Sequence, residues 1–187
     1  MKVYLAGPEV FLPDARDIGR RKTDICARYG LEGHFPLDAD VEAVRESAQG
    51  TGEAIYRANM GLIQACDAII ANITPFRGPG ADPGTAFEMG VMRAAARPVF
   101  AYSNVAADHA SRVAADIGAG PAADYAADGL FIERFGMTDN LMLDGAVLES
   151  GAAVVAEDAP ATARFADLTA FERCVAQARA HLLGAGA

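Results

Sequence analysis

Cysteine and histidine are scarce in this sequence, which has three of each among its 187 residues. The cysteines lie far apart and form no C-x-x-C pair: Cys26, Cys66 and Cys174. An odd number of widely spaced cysteines argues against a disulfide framework and against a zinc site. We therefore expect reduced, buried thiols and a cytoplasmic protein. The histidines show no spacing typical of metal ligands, so the sequence implies neither a metal nor an organic cofactor.

Long apolar runs and positive charge are lacking as well. No segment approaches the roughly 20 continuous apolar residues of a membrane helix, so we expect no membrane span. The start of the chain runs directly into a strand-like segment, so we expect no signal peptide. Lysine and arginine number 16 against 25 aspartates and glutamates, a net charge of −9. This charge repels a polyanion, which excludes nucleic acid as an expected partner and favours a neutral small molecule.

What the sequence does contain is an alternation of short apolar strands and helices in a chain that is 52% apolar. Strands are predicted at residues 3–6, 31–35, 67–73, 98–102 and 152–156. Helices are predicted at residues 14–29, 53–66, 85–96, 108–117 and 166–183. Residues 36–52 are expected to be irregular, and residues 118–144 give a mixed signal with a polar turn at 138–140. The length fits a single domain over residues 1–187.

Strands that alternate with helices predict an α/β fold with parallel pairing and helices on both faces of the sheet. The simplest architecture is a flavodoxin-like, doubly wound, five-stranded parallel sheet. In that strand order, ligands bind beyond the carboxyl ends of the first and third strands. The loops at that place are residues 7–11 and 74–84, and the second is the richest in glycine and proline in the chain.

Two carboxylates, Asp82 and Glu88, belong to the second of these loops and to the helix after it. We expect Glu88 in the first turn of that helix, where the helix dipole favours an ionised carboxylate. An ionised carboxylate can attack an anomeric carbon, and a second carboxyl group can orient a sugar or move a proton. A structural alternative remains: Thr85-x-x-Glu88 also fits a capping box, and Asp82 also fits a turn residue.

Several segments resemble the nucleoside 2-deoxyribosyltransferase family. They are YLAGP at 4–8, CDAIIAN at 66–72, FRGP at 76–79, ADPGTAFEMG at 81–90 and GMTDNL at 136–141. The similarity spans roughly residues 3–142. It implies that the protein acts on 2′-deoxynucleosides and free nucleobases. It also implies a mechanism, in which Glu88 is expected to attack C1′ and form a covalent deoxyribosyl ester, and an incoming base is expected to take the sugar.

The same resemblance implies roles for individual residues. Tyr4 is expected to hold the nucleophile, and Asp82 to contact the substrate near the glycosidic bond. Asn140 is expected to bind the 5′-hydroxyl of the sugar in the pocket of a neighbouring subunit. The protein should then be a homo-oligomer, either a dimer or a trimer of dimers. As a turn residue, Asn140 also has a purely structural interpretation.

The base is expected to bind beside the first loop, which contains Gly7 and Pro8. Phe11 and Phe76 are candidate stacking walls for the base, although simple core packing explains them equally well. The sequence departs from many relatives at Asn59, where several carry an aspartate thought to protonate the base. It also departs at Asp40, where some carry a glutamine that contacts the base. An amide at Asn59 cannot act as an acid, so we hypothesise that purines, which protonate more readily, are preferred.

Two other functions remain open from the sequence. An N-glycosidase would let water resolve the intermediate, on deoxynucleosides or on their 5′-monophosphates. The monophosphate substrates require a phosphate-binding loop, and Glu9 in the first loop is expected to oppose a phosphate. A non-catalytic nucleotide-sensing module of the same architecture would bind without turnover.

Overall fold

The computed structural model describes residues 1–38, 48–120 and 123–184. Its centre is a five-stranded, entirely parallel sheet in the order β2-β1-β3-β4-β5. The strands are β1 (Lys2–Ala6), β2 (Glu32–His34), β3 (Ala68–Asn72), β4 (Val99–Ser103) and β5 (Val155–Ala156). This is the flavodoxin-like order, so the predicted fold class is confirmed.

Helices cover both faces of the sheet. They are α1 (Ala15–Arg28), α2 (Ala48–Ala65), α3 (Pro83–Ala94), α4 (His109–Asp116), α5 (Leu141–Glu149) and α6 (Thr169–Leu183). One core cluster joins the sheet to α1 and α6, and a second joins it to α2, α3 and α5. The central strands β1, β3 and β4 are apolar along most of their length because both of their faces are buried. In β1, Val3 and Leu5 belong to the first cluster, whereas Tyr4 and Ala6 belong to the second.

Two helices differ from the prediction near the carboxyl edge of the sheet. Helix α3 begins at Pro83 instead of residue 85, because Asp82 is its N-cap and proline suits the first helical position. Helix α5 was not predicted from the sequence, and it begins directly after the expected polar turn, with Asn140 as its N-cap. A third difference is at residues 48–52, which are helical and belong to α2.

The remaining sequence-based expectations concern thiols and membranes. All three cysteines are buried and unpaired. Burial raises the pKa of the Cys26 thiol to about 11, which keeps it protonated and unreactive. Across the described ranges, no helix is both long enough and apolar enough to cross a membrane.

Candidate active site

The switch point between β1 and β3 has a tightly packed backbone. Gly7 follows β1 directly, and Asn72 is the last residue of β3. A Cβ atom on Gly7 would lie 2.7 Å from Cβ of Asn72 and 2.0 Å from Oε2 of Glu9, so only glycine fits there. Pro8 opens a short 3-10 turn that ends at Phe11. This packing sets where the first loop leaves the sheet.

Glu88 is bound to a tyrosine from the first strand. The hydroxyl of Tyr4 donates to Oε1 of Glu88 at 2.6 Å, which joins residues 84 positions apart in the chain. Tyr4 is fully buried, and burial raises its pKa, so its hydroxyl keeps the proton and acts as a donor. Burial raises the pKa of Glu88 to about 7; the Tyr4 hydrogen bond opposes this rise and the charge of Asp82 adds to it.

The structure corrects the expected position of Glu88 in its helix. Because α3 begins at Pro83, Glu88 is its sixth residue and lies in the second turn. The first-turn dipole argument is therefore wrong, since that effect falls off beyond the first turn. The capping-box alternative is also wrong, because the N-cap is Asp82 and not Thr85. The partner of the Glu88 carboxylate is a side chain on the sheet.

Asp82 holds the start of α3 with one of its two oxygens. Oδ2 accepts from the backbone N–H of Thr85 at 2.9 Å and from its Oγ1 at 3.1 Å. Its Oδ1 makes no hydrogen bond to any residue that the structure describes. The negative charge of Asp82 raises the pKa of Glu88, so the two carboxylates are close enough to interact. Asp82 can thus form the helix cap and still offer one oxygen to a ligand.

An aromatic platform lies beside the first loop. The rings of Phe11 and Phe76 stack with centroids 5.2 Å apart and planes 15° from parallel. Phe165 meets Phe76 edge-on at 6.2 Å, and Phe11 is 57% exposed. A flat, partly exposed aromatic surface of this size can stack with a nucleobase. The two predicted stacking residues are therefore brought together.

Arg77 is a neighbour of this platform that sequence reasoning missed. Its guanidinium carbon lies 5.6 Å from the Phe11 centroid and 4.8 Å from the Phe76 centroid. Its backbone has a φ of 53°, which is uncommon for a residue other than glycine and is often found at functional sites. Among the described residues no hydrogen bond or ion pair engages its guanidinium. The Phe-Arg-Gly sequence between a strand and a helix was the available signal.

The residues expected to contact the base are only partly placed. Asn59 is part-buried in α2. One turn before it, Tyr56 contacts Phe87, the neighbour of Glu88, with ring centroids 6.4 Å apart. The helix that carries Asn59 therefore lies beside α3. Asp40 lies outside the described residues.

Asn140 makes its hydrogen bonds within its own chain. Its Oδ1 accepts from the backbone N–H of Met142 at 3.1 Å, and its Nδ2 donates to Oε2 of Glu133 at 3.0 Å. The residue before it, Asp139, accepts from the backbone N–H of Asn140 at 2.8 Å, and burial raises its pKa. The loop before α3 reaches the same carboxylate, since a Cβ atom on Gly80 would lie 3.5 Å from Oδ1 of Asp139. The turn that carries Asn140 therefore lies against the loop that carries Asp82.

Glu9 was expected to repel a phosphate at the first loop, but its side chain lies inside the core. It is fully buried, and its Oε1 accepts from Nζ of Lys22 at 2.8 Å and from the hydroxyl of Tyr102 at 2.7 Å. The ammonium group compensates the carboxylate inside the core. The argument that Glu9 opposes a phosphate in the first loop is therefore wrong.

Cavity size alone does not locate this chemistry. A groove of about 680 Å³ lies between α1 and the start of α6, and none of the predicted site residues lines it. Within the described part of the chain, no group of three or more histidine, cysteine, aspartate or glutamate side chains could hold a metal ion. The groups that could carry out a reaction near Glu88 are identified by their side-chain contacts and not by a large cavity.

Comparison with known proteins shows which proteins the chain as a whole is similar to. A family model described as nucleoside 2-deoxyribosyltransferase matches residues 3–142. A 2-desoxiribosyltransferase from Leishmania mexicana is 30% identical with a TM-score of 0.62, covering 89% of this chain and 95% of that one. An uncharacterized protein of Schizosaccharomyces pombe is 31% identical over 173 residues, 83% of this chain and 81% of that protein. A conserved protein from Enterococcus faecalis shares the fold at 16% identity, with a TM-score of 0.54 over 95% of this chain and 98% of that one.

Proposed function

Because the chain belongs to the nucleoside 2-deoxyribosyltransferase family, we propose that it transfers a 2-deoxyribosyl group between nucleobases through a covalent ester on Glu88. The observation that carries this proposal is the Tyr4–Glu88 pair, a part-buried carboxylate fixed by a 2.6 Å hydrogen bond at the switch point of the sheet. Ligands of this fold bind at that place.

The chemistry has two steps at one carbon atom. An oxygen of Glu88 attacks C1′ of the 2′-deoxynucleoside, and the C1′–N bond breaks as its electron pair passes to the leaving base, which takes up a proton from solvent directly or through Asp82. A ring nitrogen of a second free base then attacks C1′, loses its proton, and releases the Glu88 carboxylate. A pKa of about 7 leaves a large ionised fraction of Glu88 near neutral pH. Tyr4 holds the attacking group in place.

The substrate is proposed to lie between Asp82 and the aromatic platform. Oδ1 of Asp82 would orient the sugar or move a proton, since Oδ2 is engaged in the helix cap. Phe11 and Phe76 would stack with the base. Gly7 and Pro8 would let the backbone of the first loop approach it closely.

Base choice is proposed to favour purines. Asn59 can donate a hydrogen bond to a base but cannot supply an acidic proton. The leaving base must then be basic enough to be protonated without an acidic side chain at this position. Purine ring nitrogens are protonated more readily than those of thymine or uracil. We expect a higher kcat/KM for 2′-deoxyadenosine or 2′-deoxyinosine than for thymidine, measured by release of the free base. A preference for thymidine would refute this part of the proposal.

The enzyme is proposed to be a cytoplasmic homo-oligomer in which Asn140 completes the pocket of a neighbouring subunit. Two exposed apolar side chains flank Asn140 in the sequence, Phe135 at 54% and Met142 at 70% exposure. An apolar surface around a polar residue suits a contact between identical subunits. The unpaired cysteines are compatible with a reducing compartment.

A mixing experiment tests the role of Asn140. Glu88→Ala and Asn140→Ala proteins are unfolded together and refolded, so that mixed dimers form. One pocket of each mixed dimer then holds both wild-type residues. Transfer should rise towards about a quarter of wild type for random pairing of dimers. Activity no higher than the average of the two parents would place Asn140 in its own subunit or outside the reaction.

A second candidate function is hydrolysis of deoxynucleoside 5′-monophosphates, and Arg77 is the observation that favours it. An arginine beside the first loop, with its donors free of protein partners in the described residues, can bind a phosphate. Glu9 no longer argues against this, because Lys22 compensates its charge. If this is the function, 5′-monophosphates should be cleaved faster than nucleosides, and Arg77→Ala should remove that difference.

One assay separates transfer from hydrolysis, and a parallel incubation with the 5′-monophosphate of 2′-deoxyinosine covers the second candidate. The protein is incubated with 2′-deoxyinosine and free adenine, and the products are separated by chromatography. Transfer predicts 2′-deoxyadenosine and hypoxanthine, whereas hydrolysis predicts free deoxyribose and hypoxanthine. Glu88→Ala should form neither set of products. No turnover of either the nucleoside or its 5′-monophosphate in the wild type, together with nucleoside binding that Glu88→Ala retains, would instead indicate a sensing module.

A further inference from the structure

Arg112 lies in the first turn of α4 and reaches two segments that flank the proposed site. Its Nε donates to the carbonyl of Pro79 at 2.8 Å, and its Nη2 donates to the carbonyl of Thr138 at 2.7 Å. Its side chain is only 10% exposed. Pro79 lies three residues before Asp82, and Thr138 lies two residues before Asn140.

Asp139 completes the connection between these segments. Its Oδ2 accepts from Nη2 of Arg112 at 3.1 Å, and its Oδ1 accepts from the backbone N–H of Asn140 at 2.8 Å. The backbone amide of Ala81, the residue before Asp82, also interacts with this carboxylate and opposes the rise in pKa that burial causes. On the far side of the turn, Asp144 accepts from the N–H groups of Thr138 and Asp139, both at 2.9 Å.

We infer that Arg112, together with Asp139, is a positioning residue that fixes the loop of residues 79–82 against the turn of residues 138–140. The inference rests on the proposed function, since it assigns Asp82 and Asn140 to the sugar. The loop before α3, residues 73–82, contains two glycines and two prolines and has no strand or helix of its own. Its position therefore depends on side chains from elsewhere in the fold. A planar guanidinium can donate in several fixed directions at once, which a lysine ammonium cannot reproduce.

The chain offers a matched control in Arg97. Its Nη1 donates to the carbonyls of Ile63, Gln64 and Cys66, so it also joins backbone segments through carbonyl groups. It lies just before β4, at the amino edge of the sheet, opposite the proposed site. Loss of Arg97 should lower stability in a similar way without touching the loops of the site.

The experiment compares wild type, Arg112→Ala, Arg112→Lys and Arg97→Ala in the transfer assay, with Tm measured for each. We expect Arg112→Ala to lower kcat by about 10- to 100-fold, as misplacement of reacting groups does. Low-millimolar guanidinium ion should restore part of that loss. The Arg112→Lys variant should not recover the lost kcat, because an ammonium group cannot donate in the same fixed directions. Arg97→Ala should keep kcat within about twofold of wild type even where its Tm falls.

Hydrogen exchange gives a readout that does not depend on activity. In Arg112→Ala, the amides of Ala81, Asp139 and Asn140 should lose protection while the amides of the central strands keep theirs. Unchanged protection at these amides, or a wild-type kcat in Arg112→Ala, would overturn the inference. So would equal losses of kcat in Arg112→Ala and Arg97→Ala without rescue by guanidinium. If the wild type shows no transfer, the proposed function fails, and the exchange pattern still decides whether Arg112 holds the two segments together.

Discussion

Two glutamate–tyrosine pairs lie on opposite faces of the same sheet. In one, Glu9 accepts from the hydroxyl of Tyr102 at 2.7 Å, on the face covered by α1 and α6. In the other, Glu88 accepts from the hydroxyl of Tyr4 at 2.6 Å, on the face covered by α2, α3 and α5. The hydrogen bonds are nearly the same, but the charges around them are not.

Glu9 has a cation and Glu88 has another anion. Nζ of Lys22 lies 2.8 Å from Glu9, and both side chains are fully buried. No lysine or arginine among the described residues forms an ion pair with Glu88, and the charge of Asp82 raises its pKa further. A buried carboxylate with a cation is a structural pair. A part-buried carboxylate without a paired cation has a pKa that is raised towards 7, and catalytic carboxylates often have such raised pKa values.

The largest expected effect tests Glu88. Glu88→Gln keeps the size of the side chain and can still accept from Tyr4, but it is a far weaker nucleophile. We expect transfer to fall by at least about 10⁴-fold, the range seen for loss of an essential catalytic group. The control is Glu149→Gln, which changes an exposed glutamate paired with Arg93. Turnover of Glu88→Gln above about a hundredth of wild type, far outside that range, would place the nucleophile elsewhere.

Asp82→Asn tests the charged neighbour that distinguishes Glu88 from Glu9. Asparagine caps helices as well as aspartate does, so α3 should keep its start at Pro83. If Asp82 orients the sugar or moves a proton, turnover should fall by about 10²–10⁴-fold. Steady-state kinetics at saturating nucleoside give this number. A loss below roughly threefold, far under that range, assigns Asp82 to the helix cap alone.

Lys22→Met tests the structural pair. Removal of the cation leaves Glu9 buried without compensation, and we expect the free energy of unfolding to drop by about 3–5 kcal/mol. Urea denaturation measures it. In the double variant Glu9→Gln with Lys22→Met, most of the lost stability should return, because no charge is left in the core. A loss below about 1 kcal/mol for Lys22→Met, the range of exposed pairs, contradicts this account of the pair.

The smallest expected effect is a shift along the pH axis. The nucleophile must be ionised, so kcat/KM should rise with pH through about 7, the pKa to which burial raises Glu88. Tyr4→Phe removes the hydrogen bond that lowers this pKa, so the midpoint should move to higher pH. A midpoint that stays in place or moves to lower pH in Tyr4→Phe argues that the tyrosine does not control the carboxylate.

The free energy of unfolding should depend on the same ionisation of Glu88, but it should fall as pH rises, whereas kcat/KM should increase. The pKa of Glu88 is raised from 4.5 to about 7 in the folded protein, so the folded state binds the proton more tightly. The resulting stabilisation is fully present below about pH 4.5 and is lost as pH rises through about 7. Urea denaturation of wild type and Glu88→Gln across this window should show the difference; identical pH dependence in both contradicts it.

The sheet could be predicted because its signals are local. β1, β3 and β4 are apolar runs bounded by turn residues, and the alternation with helices led to the correct strand order. Helix α5 was missed because its sequence LMLDGAVLE has no clear polar face and contains a glycine. The N-cap Asn140 before it was the signal that could have located the helix.

The site was predictable only as a set of residues, and its charge balance was not. Resemblance to a family brought Tyr4 and Glu88 together, although 84 positions separate them. Nothing local indicated that Glu9 is buried against Lys22, because a glutamate near the surface and one in the core look alike in sequence. The raised pKa of Glu88 depends on burial, which only the packed structure contains.

The covalent intermediate is the central claim, and intact mass spectrometry tests it most directly. Wild-type protein is mixed with 2′-deoxyinosine without an acceptor base and quenched after a short time. Its intact mass is measured, and the same sample is then digested for peptide mapping. The account predicts one added 2-deoxyribosyl group per chain, on the peptide that contains Glu88, and no adduct in Glu88→Gln. An adduct on another residue, or rapid release of hypoxanthine with no adduct at any time, would contradict it.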